Sequence, residues 1–458
     1  MTNTPLEIAI TDPKTGHTAV VRCTALLRRL SGVRYTYEGF WETRPVIVKI
    51  FTSPLRGFLH FRRETQGLSR LAERGIPSPA LLHSGKDPAG RWTLVLEKIT
   101  PAKDLANLLE KTEDPQQKAE LCLKWLDFIA LMHQKGVLQK DLHPGNFLWD
   151  GSRLYALDPG TIRFRRSPIS AEQGLRQLAG MLCTIPPAVR ENPQPLLEHY
   201  GRIRGWKPTD EMLARFEKYI AQRQRRLLRQ TLKKTLRNSK RYFSLQEGSV
   251  RGMFTRQDWT EETARQFIRQ IDSLMEAGQI LKRGNTCFVS RVQFGSLDIA
   301  VKRYNYKGFW HSLRHTLKGS RARKCWLAAH QLLHCGIPTP RPLACIIQRQ
   351  KGLLLQSYFL SEFLSGSNLD EFLKSSAASQ EKEKILNRTK KIIFSLADNS
   401  LAHYDLKLSN IRISNGQPVL IDLDALRPQL LWRKKGSIQK KMEAAFGKRL
   451  EQFIHAAH

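Results

Sequence analysis

Short runs of alternating apolar and polar positions, and longer stretches in which apolar residues recur every three or four positions, follow one another in the same order twice along the chain. Val46-Ile47-Val48-Lys49 and Ile299-Ala300-Val301-Lys302 each read as a β-strand ending in a lysine. A helical stretch follows each and is closed by residues that stop a helix, Gly75-Ile76-Pro77-Ser78-Pro79 and Gly336-Ile337-Pro338-Thr339-Pro340. Leu94–Glu97 and Tyr358–Glu362 then read as strands, and Leu105–Leu109 and Leu369–Leu373 as the starts of amphipathic helices. The pattern is that of an internal repeat.

Between the copies, residues 170–246 read as helical, with Leu175, Leu178, Met181 and Leu182 at helical spacing. Its end is basic: Lys218 to Gln246 holds ten Lys or Arg and no acid, while Ile220, Leu227, Leu228, Leu232 and Leu236 keep one apolar stripe. Such a helix fits either a solvated face lying on the first domain or a contact with an anionic surface. A further helix is expected after Asp258, with Asp258 and Glu261 as a capping box, ending near Gly278. At 458 residues the chain exceeds one core, since domains run to ~100–200 residues. The expected division is 1–246 and 247–458. Only 36 residues follow Asp422, so the second copy must have a shortened helical lobe.

The loops after the helices carry the chemistry. Asp141-Leu142-His143-Pro144-Gly145-Asn146 is followed 12 residues later by Asp158, and Asp405-Leu406-Lys407-Leu408-Ser409-Asn410 is followed 12 residues later by Asp422. An Asp, an Asn five residues on and a second Asp after a short strand is how a kinase-type site arranges a hydroxyl-orienting base and two Mg²⁺ ligands. In the first copy Lys49 would hold the α- and β-phosphates of ATP, Glu64 would fix that lysine by an ion pair, Asp141 would act on the acceptor hydroxyl, and Asn146 and Asp158 would ligate the metal. In the second, Lys302, Asp405, Asn410 and Asp422 fall into the same roles, and Lys407 can neutralise transferring phosphate. Alone, each residue is unremarkable: a strand lysine usually snorkels, and an Asp before a turn usually caps.

Two features weaken the pattern. Ser31-Gly32-Val33-Arg34 and Arg283-Gly284-Asn285-Thr286 precede the lysines, but each holds one early glycine and reads equally well as a hairpin turn. From Ile299 through Ser361 there are eleven Lys or Arg and no Asp or Glu, and the position opposite Glu64 is Cys325. Either another segment supplies an acid for Lys302, or the second copy binds nucleotide poorly and serves as a basic docking module. On these residues the first copy is the expected catalyst.

Charge narrows the partners. Lys plus Arg number 75 against 41 Asp plus Glu, a net charge of +34, which favours polyanions such as nucleic acid, anionic lipid or a phosphorylated glycan. No interleaved aromatic motif of a single-strand platform accompanies it, so nucleic acid has only charge behind it. The seven cysteines are scattered with no Cys-x-x-Cys pair, which suggests buried thiols and neither disulfides nor zinc. Met1 to Gly16 lacks the basic-then-apolar order of a signal peptide, and no apolar run approaches the ~18 residues of a membrane span. A cytoplasmic protein is expected.

Together, Gly-Ile-Pro-x-Pro, Ser320-Arg321-Ala322-Arg323 and the Asp-Leu-Lys-x-Ser-Asn loop resemble the bacterial lipopolysaccharide core heptose kinase family, a branch of the protein-kinase-like superfamily. The likeness spans roughly 25–165 and 280–428. It implies an α+β fold of two protein-kinase-like bilobal domains in tandem, ATP and Mg²⁺ as cofactors, and a sugar hydroxyl of the lipopolysaccharide inner core as acceptor at the anionic inner-membrane surface. The chain departs from the pattern at Gln139-Lys140, where a His-Arg pair is usual, at Asp158-Pro159-Gly160 in place of Asp-Phe-Gly, and at Asp422-Leu423-Asp424. These departures argue against a switching loop and make one inactive copy conceivable.

Overall fold

The computed structural model describes residues 6–11, 18–185, 193–306, 308–428 and 435–457. Residues 1–5 and 12–16, part of the stretch read for a leader, lie outside them. The chain divides into two compact units, Met1–Arg225 and Arg226–His458.

The first unit opens with β1 (Leu6–Thr11), β2 (Thr18–Leu30), β3 (Arg34–Trp41), β4 (Arg44–Phe51), α1 (Pro54–Glu73), β5 (Leu81–Lys86) and β6 (Trp92–Glu97). The six strands form one antiparallel sheet in the order β1-β2-β3-β4-β6-β5. Alternation in β4 buries Val46, Val48 and Ile50 in the sheet core with Ile8, Ile10 and Val21, which turns Lys49 to the other face. On α1 the buried positions Gly57, Phe61, Glu64, Gly67, Leu68 and Leu71 recur at helical spacing, so Glu64 lies on the packed side.

The helical part follows: β7 (Lys103–Asp104), α2 (Leu105–Lys111), α3 (Pro115–Gln134), β8 (Val137–Gln139), β9 (Phe147–Trp149), β10 (Leu154–Ala156), β11 (Ile162–Phe164), α4 (Ala171–Leu182), α5 (Gln194–Arg204) and α6 (Asp210–Lys234), whose residues after Arg225 fall in the second unit. Trp125, Leu126 and Ile129 of α3 form one core with Leu175, Leu178 and Leu182 of α4. The basic helix ends at Lys234, well before Gln246. Beyond it Tyr242–Glu247 has strand periodicity, with Phe243 and Leu245 buried, and belongs to the second unit's sheet.

That unit contains β12 (Tyr242–Glu247), β13 (Val250–Thr255), α7 (Glu261–Ala277), β14 (Gln279–Arg283), β15 (Cys287–Phe294), β16 (Leu297–Asn305), α8 (Phe309–Lys318), α9 (Arg321–His334), β17 (Pro342–Gln350) and β18 (Leu353–Glu362). Its sheet has seven strands in the order β12-β13-β17-β18-β16-β15-β14. After it come β19 (Ser367–Asn368), α10 (Leu369–Lys374), α11 (Ser379–Asp398), β20 (Leu401–His403), β21 (Ile411–Ser414), β22 (Gln417–Leu420), β23 (Leu426–Pro428) and α12 (Lys435–Ala457). Met442 and Phe446 of α12 complete the core around Ile393 and Leu396 of α11.

The repeated Gly-Ile-Pro step is a pair of helix stops of the same construction. Gly75 and Gly336 take positive φ, Ile76 N–H bonds Leu71 O at 3.0 Å and Ile337 N–H bonds Leu332 O at 2.9 Å, and both isoleucines are buried. This is the Schellman geometry with its apolar contact. The capping box of α7 differs from expectation. Thr260 and Thr263 form it, because Asp258 is held instead by Arg341 at 2.6 Å and by Thr255. Four of the seven cysteines, Cys23, Cys122, Cys325 and Cys345, are buried. Among the described residues no helix is long and apolar enough to cross a membrane.

Candidate active sites

Each unit folds its Asp-to-Asn loop in the same way. In the first, Asn146 Nδ2 donates to Asp141 O at 2.8 Å, Asn146 N–H bonds His143 O at 2.9 Å, and Leu157 N–H bonds Asn146 O at 2.8 Å. In the second, Asn410 Nδ2 donates to Asp405 O at 2.7 Å, Asn410 N–H bonds Lys407 O at 3.0 Å, and Ile421 N–H bonds Asn410 O at 3.0 Å. These bonds fix each loop and strap it to the strand end that delivers Asp158 or Asp422. With the amide nitrogen spent on the loop, the side-chain oxygen of each Asn is left as an acceptor. Gln139 and His403 occupy matching places. Gln139 Nε2 donates to Leu157 O at 3.4 Å, and His403 Nε2 lies 2.5 Å from Asp422 O, so the missing His-Arg pair costs the first loop no anchor.

The lysines differ in how they are held. Lys49 is buried and its Nζ lies 2.6 Å from Glu64 Oε2. Arg34, the first residue of β3 after the Gly32 turn, bonds Glu64 Oε1 and reaches Asp158 Oδ1 at 3.3 Å. Burial and the Arg34 guanidinium push the Lys49 ammonium down to about 7, against the pull of Asp158. Asp158 takes a left-handed backbone, φ 50°, and Gly67 of α1 packs so close to the next residue that a Cβ would lie 2.7 Å from Pro159 O.

Lys302 has acidic partners from another segment, the first of the two alternatives that its lobe left open. Its Nζ lies 2.8 Å from Asp424 Oδ2 and 3.0 Å from Asp422 Oδ1. Arg321, one helical turn before Cys325 on α9, bonds Asp424 Oδ2 at 2.9 Å, and Tyr304 and Cys325 donate to Asp424 Oδ1 at 2.9 and 3.2 Å. Burial opposes the charge of Lys302, but Asp424 and Asp422 override it and hold the ammonium above its usual range. Burial likewise opposes the Asp424 carboxylate, and Lys302 and Arg321 keep it at about 2.

Both sites therefore contain a lysine, an arginine and two carboxylates in contact, drawn from different segments. The acid sits on the helix and the arginine on the hairpin in the first unit. In the second the helix gives the arginine, and the acid comes from the strand end. The sequence named Glu64 but missed Arg34, Arg321 and Asp424; the second Asp of Asp-Leu-Asp was the visible signal.

The second loop base is further dressed: Lys407 Nζ lies 2.9 Å and Arg449 Nη2 3.5 Å from the Asp405 carboxylate, and the Lys407 bond leads in holding Asp405 below the ordinary aspartate range. A cavity of about 480 Å³ has Val289, Ala300, Phe359 and Ile421 among its apolar walls and also carries Lys302, Asn410 and Asp422. Apolar walls with a few convergent polar groups suit a small organic ligand.

The sequence profile of the lipopolysaccharide kinase (Kdo/WaaP) family matches residues 43–167 and 273–444, well over half of the chain and once in each half. The chain belongs to this family. It is a kinase, a phosphotransferase, and lipopolysaccharide is the substrate class that goes with the family. No curated protein matches it.

Proposed function

We propose that both units of this lipopolysaccharide kinase are ATP- and Mg²⁺-dependent transfer sites, acting on sugar hydroxyls of the inner core at an anionic membrane surface. One observation carries the extension to the second unit: Asp424 gives Lys302 the partner that its own lobe lacks. Lys49 and Lys302 would hold the α- and β-phosphates. Asn146 with Asp158, and Asn410 with Asp422, would hold Mg²⁺, which when bound neutralises charge on the phosphate oxygens.

The donor chemistry fits a hard cation. A carboxylate and an amide oxygen, with nucleotide phosphates to complete the shell, are the hard oxygen donors that Mg²⁺ takes. Asp141 and Asp405 would orient the acceptor hydroxyl and accept its proton. Lys407 beside Asp405 would meet charge on the transferring group.

A second reading has its own support. Arg34 spans Glu64 and Asp158, so the first unit could bind nucleotide and act as a scaffold without transfer. Asp141→Asn and Asp405→Asn, singly and together, separate the readings by phosphate incorporated into core oligosaccharide from labelled ATP. Two active sites leave partial transfer in each single variant and none in the double. Complete loss in Asp405→Asn with none in Asp141→Asn would make the first unit the scaffold.

A further inference from the structure

The helix α8 presents to solvent a face that a soluble surface helix does not ordinarily carry. Its inner side is tied to β18: Ser312 Oγ donates to Leu354 O, and Leu354 N–H bonds Thr316 Oγ1 at 2.9 Å. The opposite side carries Trp310, Arg314 and Leu317, spaced four and three residues apart and so on one face. Trp310 is 79% exposed and Leu317 80%, and Phe309, 60% exposed, stands edge-on to Trp310 with ring centroids 5.5 Å apart. Arg314 and Lys318 flank them, Arg323 and Lys324 are exposed on the next helix, and no acid occurs from Ile299 through Ser361.

Single exposed apolar residues are ordinary. Three large ones on a short helix, interleaved with cations and with no acid in the flanking sequence, make the pattern of an element that lies in a membrane interface. There the aromatic and leucine enter the headgroup boundary and the cations meet anionic lipid. The first unit repeats the arrangement at the matching point of its chain, between the lysine strand and the buried part of its helix. Leu55 and Leu59 of α1 are 81% and 49% exposed, with Arg56, Arg62 and Arg63 exposed beside them.

We infer that α8 is a docking element for an anionic lipid bilayer, with Trp310 and Leu317 as its inserting residues and Arg314 and Lys318 as its headgroup contacts. This rests on the membrane contact proposed above and not on which unit transfers phosphate. It would hold the second unit at the surface in which a lipid-linked acceptor is anchored.

The test is co-flotation of the full chain with phosphatidylglycerol–phosphatidylethanolamine vesicles, and with phosphatidylcholine vesicles, free of lipopolysaccharide. Trp310→Ser/Leu317→Ser should weaken binding to the anionic vesicles roughly tenfold or more, with the melting temperature and sedimentation coefficient unchanged. Arg314→Glu/Lys318→Glu should do the same through charge and leave the weak binding to phosphatidylcholine unchanged, whereas Trp310→Ser/Leu317→Ser should weaken that binding too. Parent-like anionic binding in both double variants would overturn the assignment to α8 while leaving membrane contact standing. No binding by the parent chain would overturn both. A variant that melts lower, or that turns a dimer into a monomer, would show that the face is covered by this chain or by a second copy, and would overturn the lipid assignment.

Discussion

Lys302 Nζ stands 2.8 Å from Asp424 Oδ2, and the helix position that carries an acid in the first unit is here Cys325, which donates to that same Asp424 at 3.2 Å. A lysine steered by one carboxylate on a strand end is positioned as firmly as one steered from a helix, provided the carboxylate is itself held. Asp424 is held by Arg321, Tyr304 and Cys325. Asp424→Asn keeps the shape and removes the charge. With Asp141→Asn present so that only the second unit reports, we expect kcat/KM to fall by roughly 100-fold, the scale of a ~1 Å misplacement of a positioning group. Most of the loss should be in the KM for ATP, since the acceptor side is untouched. Unchanged kcat/KM would remove Asp424 from the site.

The first unit should show a pH dependence set by Lys49. Its ammonium is depressed from 10.5 to about 7 by burial and Arg34, so in the free protein it loses its proton as pH rises through about 7. Bound phosphate favours the charged form and draws the proton back. Nucleotide affinity at this unit should therefore be highest below about 7 and fall as pH rises above it. For folding the sign is opposite in sense. The unfolded lysine holds its proton up to about 10.5, so this group's contribution to stability increases with pH between the two values. Calorimetric titration of ATP across this range checks the first statement, and Arg34→Gln should move the midpoint upward. A flat profile in the parent would contradict the shift.

Gly67 ties the helix that carries Glu64 to the strand end that carries Asp158. A Cβ there would lie 2.7 Å from Pro159 O, a backbone atom that cannot yield without moving its neighbours. Gly67→Ala should cost about 1–3 kcal/mol in the first unit, the usual scale of overpacking, and should impair that unit's nucleotide binding. The second unit's activity should be unchanged. Parent-like melting and first-site affinity would mean that α1 can shift freely.

The strands, helices and loops that build the sites were legible because each has a local cause. Alternation in Val46–Lys49 and Ile299–Lys302, the Gly-Ile-Pro stops and the Asp-to-Asn loops act over a few residues. Asp424 escaped because its pairing with Lys302 depends on a contact between distant segments; absence of acid in one lobe says nothing about what another segment brings. Arg34 escaped for the same reason, as a hairpin residue whose partners lie on α1 and after β10. The end of the basic helix was not legible because the polar stretch 237–241 contains neither Gly nor Pro to stop a helix, and only pairing with β13 reveals the strand that begins at Tyr242. Asp258 was read as a cap from local spacing, whereas Arg341 competes for it from β17's approach.

The contrast between the two lysines is the most direct test of what the tertiary contacts change. Sequence alone leaves Lys302 in a stretch of eleven positive and no negative residues and makes the first copy the expected catalyst; with Asp424 and Asp422 at 2.8 and 3.0 Å it is instead the cation of a closed charge set. Lys49→Met and Lys302→Met keep the aliphatic stem and remove the charge, which limits the packing penalty. In Lys302→Met, Asp424 keeps Arg321, Tyr304 and Cys325 while Asp422 loses its cation, so we also expect a lower melting temperature. That loss should be modest, because Asp422 is partly open to solvent, with 35% of its side chain exposed. Each variant should abolish ATP binding at its own unit and leave the other near the parent value, as counted by binding stoichiometry falling from two sites to one. If Lys302→Met leaves two sites of parent affinity, the second unit does not use its lysine for nucleotide, and its pairing with Asp424 is structural.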